Sequence, residues 1–288
     1  MKQVRKSLKS HLGKPRGFVL IIGPLQGFYN DQISKPFMQV ASESRLAFPC
    51  MVIHHQQATW DSLQRLQPGQ DVTSTFPAAG WPKDCSELPP GSHSGVYIIQ
   101  PKGLHQLVVY CEMNTTSGGW TVIQRNQRDT PVTWAESWST YKYGFGNVRS
   151  EYWLGTEYIH QIAKQKVYQV RFVISDNANN IKFADYNLFS VEDEAHGYRL
   201  RLGSYSGTAG DAMTSDNPST MHDNMKFSTK DRDQDNYSRN CAYSYEGGWW
   251  FSSCYSVRLN FKGGMTWGSL CKGDCKSSLI LIKPALYC

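Results

Sequence analysis

Eight cysteines in 288 residues set the first limit on how this chain folds. They stand at Cys50, Cys85, Cys111, Cys241, Cys254, Cys271, Cys275 and Cys288. An even number allows four disulfides. Structural zinc needs clustered ligands, usually paired Cys-x-x-Cys or Cys with His. Only Cys271 and Cys275 lie close together, and no histidine stands near them. Disulfides are therefore expected, and with them an oxidising, extracellular setting. Two Asn-x-Ser/Thr sequons, at Asn114 and Asn236, are candidate glycosylation sites in that setting. Residues 17–28 (GFVLIIGPLQGF) form a short apolar run behind a basic stretch, as in a secretion signal, interrupted by Pro24 and Gln26.

Charge divides the chain. Residues 1–49 hold eight basic side chains against two acidic ones, Asp31 and Glu43. The net charge of +6 therefore lies in that segment, and residues 50–288 are neutral overall. A basic tail can meet anionic surfaces, but the neutral body carries no nucleic-acid footprint, so no nucleic-acid partner is expected. No run approaches the 18 apolar residues of a membrane-spanning helix.

Residues 1–83 read as a basic leader and poorly ordered linker, with one short helix expected over 56–67 and no heptad repeat. From residue 84 the texture changes. Strands are predicted at 96–100, 107–113, 120–124, 167–174, 181–191, 198–202 and 279–283. One helix is predicted over 157–166, capped by Thr156, with Glu157 at its positive end and Lys164 and Lys166 at its negative end. Residues 203–235 are rich in Ser, Thr, Gly, Asp and Asn, and are expected to lie as long loops over the sheet.

Those loops end in KDRDQDNYSRNC (230–241). Asp231, Asp233 and Asp235 alternate, so an extended segment would point all three the same way. They form either a solvated acidic turn or a site for a hard cation, calcium before zinc or iron. An EF-hand starting at Asp231 is excluded, since Asn236 stands where its glycine belongs and Ala242 where its glutamate belongs. Cys241 and Cys254 then enclose AYSYEGGWWFSS, in which Gly247 and Gly248 permit a tight turn.

With these features the sequence resembles the fibrinogen C-terminal domain family, most nearly its fibrinogen-like and angiopoietin-like members. The resemblance spans about residues 84–288. It rests on Asp84-Cys85, GVYIIQP (95–101), VYCEM (109–113), GGWTVIQR (118–125), GFG (144–146), EYWLG (151–155), YSGTAGD (205–211), FSTKDRDQD (227–235), NCA (240–242) and GGWW (247–250). It implies an α+β fold with a twisted, mostly antiparallel sheet, few short helices and long calcium-bearing loops. It implies the disulfides Cys85–Cys111 and Cys241–Cys254. It implies calcium on the carboxylates of Asp233 and Asp235 and the carbonyls of Tyr237 and Arg239, with Asp231 an outer neighbour.

Acetyl-binding members of that family hold their ligand in an aromatic funnel beside the calcium loop. The matching ligand pocket here is Tyr245, Ser253, Cys254, Tyr255 and Phe261, with Trp267 nearby. The resemblance implies a cis peptide at Ser253–Cys254, which costs about 3–4 kcal/mol for a non-proline residue. Several departures stand out. Tyr255 replaces a common histidine. Leu259-Asn260 runs through Phe261-Lys262-Gly263 straight to Gly264 and Trp267, so a loop that walls the pocket is cut short. Lys262 falls where fibrinogen places a carboxylate for a basic peptide knob. Cys271 and Cys275 are additional, and spacing leaves open whether they bond to each other or to Cys50 and Cys288.

Two readings of function follow. The first is a secreted calcium-binding domain that recognises a glycan or glycoprotein beside the Cys241–Cys254 loop. The second is a secreted signalling ligand for a protein receptor, with no lectin activity. An enzyme is not expected. There is no HExxH and no P-loop. GSYSG (203–207) carries Tyr205 where a nucleophile elbow needs serine. His54, His55, His196 and His222 have no evident catalytic partner in the sequence.

Overall fold

The computed structural model describes residues 80–285, apart from 116, 215 and 216. The leader and linker over 1–79, the helix expected at 56–67, the apolar run 17–28, and Cys50, Cys288, His54 and His55 lie outside the described residues.

Some strands of the main sheet alternate buried and half-buried residues, and others in its middle are buried almost throughout. The clearest of the alternating strands is β6 (Tyr168–Ser175), which buries Tyr168, Val170, Phe172 and Ile174. This is the period of two that a strand with one face on a core requires. Around it stand β1 (Gly95–Ile99), β2 (Leu107–Glu112), β3 (Trp120–Gln127), β7 (Ile181–Val191), β8 (Leu200–Leu202) and the late strand β13 (Ser277–Pro284). Their order is β1-β2-β3-β13-β6-β7-β8. Thus β13 returns from late in the sequence to fill the middle of the sheet. Short strands extend it: β4 (Phe145–Gly146) on β5 (Tyr152–Trp153), β5 on β3, and β9 (Tyr205–Gly207) on β7. Every pairing among the described strands is antiparallel.

Three short helices accompany the sheet: α1 (Trp138–Tyr143), α2 (Thr156–Ala163) and α3 (Cys241–Ser244). Helix α2 corrects the predicted span and cap. Gly155 takes the N-cap position at φ +117°, and Thr156 is the first helical residue. The Thr156 hydroxyl is fully buried, donates to the Tyr141 carbonyl (3.1 Å) and accepts from Trp153 Nε1 (3.2 Å). A hydroxyl committed to those partners cannot cap. The helix ends at Ala163 with Lys164 at its C-cap, so Lys166 lies beyond it and pairs with Asp84 (3.3 Å) and Glu87 (2.7 Å) instead.

Three disulfides fasten the described residues. Cys85–Cys111 ties a short helical turn (Cys85–Glu87) to β2, and Cys241–Cys254 closes the loop after the acidic segment. Cys271–Cys275 joins both ends of β12 (Cys271–Cys275). That strand belongs to a separate three-stranded sheet, ordered β10 (Val257–Arg258), β11 (Met265–Trp267), β12. Its inner side buries Val257, Met265, Trp267, Cys271 and Cys275.

Candidate functional site

The region beside the Cys241–Cys254 disulfide is held to the main sheet by buried polar side chains of β3. Asn126 donates to the carbonyls of Leu259 (2.8 Å) and Phe261 (2.7 Å), and Gln124 donates to Asn260 Oδ1 (3.1 Å). Asn260 in turn donates to the Gly248 carbonyl at 3.0 Å. Gly247 passes so close that a Cβ there would stand 1.8 Å from the Asn260 carbonyl oxygen, which is why glycine occupies that position. Such internally satisfied polar networks fix one arrangement of the segments they join.

His222 fastens the other side. It is fully buried, and its Nδ1 lies 2.7 Å from the Trp250 carbonyl, to which it must donate. Its Nε2 then accepts from the backbone N–H groups of Val257 (2.9 Å) and Ser256 (3.2 Å). Burial pushes its pKa down to about 4, so the ring is neutral at physiological pH. Both ring nitrogens are spent on backbone, which makes His222 a strut between Trp250 and β10 and not a proton carrier. His196, exposed, pairs with Asp193.

In the acidic loop the three aspartates separate. Asp231 Oδ1 accepts from the Trp138 backbone N–H (2.8 Å) and the Thr229 hydroxyl (2.8 Å), which pins it to the start of α1. Arg232 turns the same way, stacking 3.9 Å over the Trp138 ring and reaching Glu194 at 3.5 Å. Asp233 and Asp235 stay behind without a cationic side chain: none of the ion pairs among the described residues includes them. Asp235 accepts from the backbone N–H groups of Tyr237 (2.9 Å) and Cys241 (2.8 Å). Burial and the neighbouring Asp233 charge nevertheless hold its carboxyl above the ordinary range. Asp233 is exposed, and its Oδ1 accepts only a long bond from Asp235 N (3.3 Å). Among the described residues the carbonyls of Tyr237 and Arg239 accept no hydrogen bond. Two uncompensated carboxylates beside two uncommitted carbonyls are a donor set that fits a hard divalent cation.

This loop is stitched to the expected pocket. Asn236 N donates to the Ser252 carbonyl (2.9 Å), and Ser253 Oγ donates to the Asn236 carbonyl (3.3 Å). Both sequon asparagines are exposed: Asn114 stands in the turn between β2 and β3, and Asn236 Nδ2 lies 3.3 Å from Met225 Sδ.

The pocket itself departs from expectation in three ways. First, the Ser253–Cys254 peptide is trans; the described residues contain no cis peptide. Trans is the intrinsic preference of a non-proline bond, and here Ser252 N reaches the Cys254 carbonyl (3.0 Å) while Ser253 N reaches the Ser219 carbonyl (2.9 Å). Second, Trp267 faces the core, with Nε1 donating to the Gly210 carbonyl (3.0 Å) and its ring 5.1 Å from that of Phe172. Third, the remaining rings are brought together around a residue that no sequence motif singles out. Tyr245 and Tyr255 meet edge to face at 4.8 Å. The Arg258 guanidinium lies 3.8 Å from the Phe261 ring centre, 5.2 Å from Tyr255 and 5.8 Å from Tyr245. The aromatic cluster thus closes on the domain's own cation, a stabilising arrangement for a half-buried guanidinium. A cleft of about 400 Å³ opens beside it, lined by Tyr255, Arg258, Thr266, Lys272 and Gly273 among others. Tyr255 alone of the expected pocket residues lines it. Arg258 escapes a sequence-based search because only folding brings residues 245, 255 and 261 around it.

The fold and this site can be set beside known proteins. A family model described as the fibrinogen beta and gamma chains, C-terminal globular domain, matches residues 81–275. Fibrinogen-like protein 1-like protein of Gallus gallus is 52% identical over 196 residues, covering 67% of this chain and 69% of that protein. Angiopoietin-related protein 6 of Mus musculus is 41% identical over 197 residues, 68% of this chain and 41% of that protein. Tenascin-R of Homo sapiens is 40% identical over 218 residues, 73% of this chain but only 15% of that protein. Among solved structures, the fibrinogen-like globe domain of human ANGPTL6 aligns with TM-score 0.66 at 36% identity, covering 72% of this chain and 97% of that one. Lamprey fibrin D-dimer, solved in complex with the peptide ligand Gly-His-Arg-Pro-amide, aligns with TM-score 0.67 at 30% identity, covering 83% and 84%. By its sequence, its sheet and its disulfides, this protein belongs to the family defined by the C-terminal globular domain of the fibrinogen beta and gamma chains.

Proposed function

We propose that this protein is a secreted recognition domain that binds a protein partner through the surface beside the Cys241–Cys254 loop, in the manner of a signalling ligand and not of an acetyl-sugar lectin. The observation that carries this reading is Arg258. An acetyl group would have to pack among Tyr245, Tyr255 and Phe261, and those rings already surround a guanidinium. Displacing it would give up three cation–π contacts, each worth about 0.5–2 kcal/mol. Three disulfides support an extracellular setting. No helix among the described residues is long and apolar enough to cross a membrane. The related angiopoietin-related and fibrinogen-like proteins support the same setting.

Calcium belongs to this proposal as a structural ion. Asp233 and Asp235 would hold it with the carbonyls of Tyr237 and Arg239, neutralising the two carboxylates and stiffening the loop that Asn236 ties to Ser252 and Ser253.

At saturating calcium, the protein is expected to flow through an acetylated resin. Its binding to cell surfaces is expected to survive enzymatic deglycosylation and to disappear after protease treatment. Retention on the resin with release by free N-acetylglucosamine would restore the sugar reading and overturn this one.

A further inference from the structure

The small sheet beside the disulfide loop has two unlike faces. One is core. On the other, strand register sets Arg258 opposite Thr266, and Thr266 opposite Lys272. Residues directly opposite in neighbouring strands project from the same side. Arg258, Thr266 and Lys272 therefore form one row across β10, β11 and β12, and all three line the 400 Å³ cleft. With strands about 4.8 Å apart, the two cationic residues stand about 10 Å apart at the backbone, with a hydroxyl between them.

The row carries no anion of its own. None of the ion pairs among the described residues includes Arg258 or Lys272. The Arg258 guanidinium also makes no hydrogen bond among the described residues, and its Nε is buried without a partner. A guanidinium has five N–H donors, so a half-buried one with no acceptor is an unfinished arrangement. What holds it is aromatic: the rings of Phe261, Tyr255 and Tyr245 pack on it. Those contacts leave its terminal Nη atoms without an acceptor among the described residues, and they, not the buried Nε, are the donors left for a ligand. Lys272 is exposed and adds a point charge without needing fixed geometry. Cys271–Cys275 closes β12 across the irregularity at Gly273 (φ +86°), so the charge of Lys272 sits on a short braced strand.

We infer that this row is a carboxylate-binding site. It takes an acidic side chain from an extended segment of the partner protein, in a planar two-point bond to the Arg258 edge with Thr266 and Lys272 completing the shell. The guanidinium edge matches a planar carboxylate bidentately. The inference rests on the protein-recognition reading above, and it adds the chemistry of the group recognised.

The test uses the secreted protein with its disulfides intact and two N-acetylated, C-amidated peptides, one alternating serine with glutamate and one alternating serine with glutamine. The glutamate peptide is expected to bind about tenfold more tightly, as befits charge-assisted hydrogen bonds, and to weaken as salt rises. Lys272→Glu, at an exposed position, is expected to keep the melting temperature while lowering that affinity about tenfold. Thr266→Val is expected to lower it by a smaller factor. Equal affinity for the two peptides, or no binding of either at millimolar concentration, overturns the inference. So does preference for a sulfated disaccharide that Lys272→Glu abolishes, which would assign the row to a sulfated glycan. Cell-surface binding separates this from the broader reading. If it remains protease-sensitive but indifferent to Lys272→Glu, the carboxylate site fails and protein recognition stands. If deglycosylation removes it, protein recognition fails whatever the peptides do.

Discussion

Replacing His222 with leucine is expected to destabilise the domain by about 2–6 kcal/mol, a large share of the ~5–15 kcal/mol that holds a typical domain folded. The side chains are similar in volume, so the loss is one of polar satisfaction. Two backbone groups lose their partner at once, the Trp250 carbonyl and the Val257 N–H, and the Ser256 N–H keeps only its 3.2 Å bond to the Thr220 carbonyl. Each lies where leucine offers nothing and water has no ready path, and a buried unsatisfied group costs about 1–3 kcal/mol. Denaturant titration of the disulfide-intact protein measures it. A loss within about 1 kcal/mol of wild type would show that His222 is filler and not a strut. His222→Gln, which keeps an acceptor and a donor on a flexible stem, is expected to fall between.

The same ring gives stability a pH dependence whose sign follows from its surroundings. In the folded state its pKa lies near 4, below the ordinary 6.5, chiefly because burial disfavours the charged form. The unfolded state therefore takes up this proton first. The contribution is complete above pH 6.5 and is lost as pH falls from 6.5 towards 4, amounting at full extent to about 3 kcal/mol. Below pH 4 both states are protonated at this position and the slope vanishes. His222→Gln is expected to remove that slope between pH 6.5 and 4, read as the difference between the two stability–pH curves. Parallel curves across that window would refute the assignment.

How much of this is legible in the sequence depends on how far each residue reaches for its partners. The strand 181–191 is legible to the residue, because its run of apolar and aromatic residues and the turns that bound it are local signals. The late strand 279–283 is also legible as a strand, though its place between β3 and β6 is not. Thr156 defeats the capping rules, which cannot see that Tyr141 and Trp153 claim its hydroxyl. Trp267 looks like a pocket ring for the same reason: only the fold brings Phe172 and Gly210 to it. The disulfides Cys85–Cys111 and Cys241–Cys254 are available through family resemblance. Spacing does not decide the partner of Cys271, and the fold does: a register jump in the pairing with β11 and Gly273 at φ +86° turn the segment back, so that the Cα atoms of Cys271 and Cys275 stand 5.2 Å apart. Arg258 is least legible of all, because its two-residue strand has no periodic signal and its cage joins Tyr255 and Phe261, three residues to either side, with Tyr245 from the far part of the disulfide loop.

Asp233→Ala is expected to abolish the stabilisation that calcium confers, and to leave the calcium-free domain nearly as stable as before. The two aspartates differ in what else they do. Asp235 satisfies the backbone N–H groups of Tyr237 and Cys241, so removing it damages the loop with or without metal. Asp233 is exposed and accepts only a 3.3 Å bond, so little but metal affinity is lost with it. Relieving its repulsion with Asp235 even favours the calcium-free variant slightly. An ion at a hundred times its dissociation constant stabilises by about 2.7 kcal/mol. For a domain of about 200 residues, that corresponds to a rise of roughly 5–10 °C in melting temperature. Melting curves with calcium and with chelator, for wild type, Asp233→Ala and Asp235→Asn, give the comparison. The Asp235→Asn protein is expected to lose the calcium-dependent rise as well, while in chelator the relief of burial and of repulsion by Asp233 offsets the weaker acceptance of two backbone N–H groups by a neutral amide. A calcium-dependent rise that persists in Asp233→Ala would move the ion elsewhere. No rise in wild type would leave the loop a plain acidic turn, braced by its disulfide and its bonds to Ser252 and Ser253 alone.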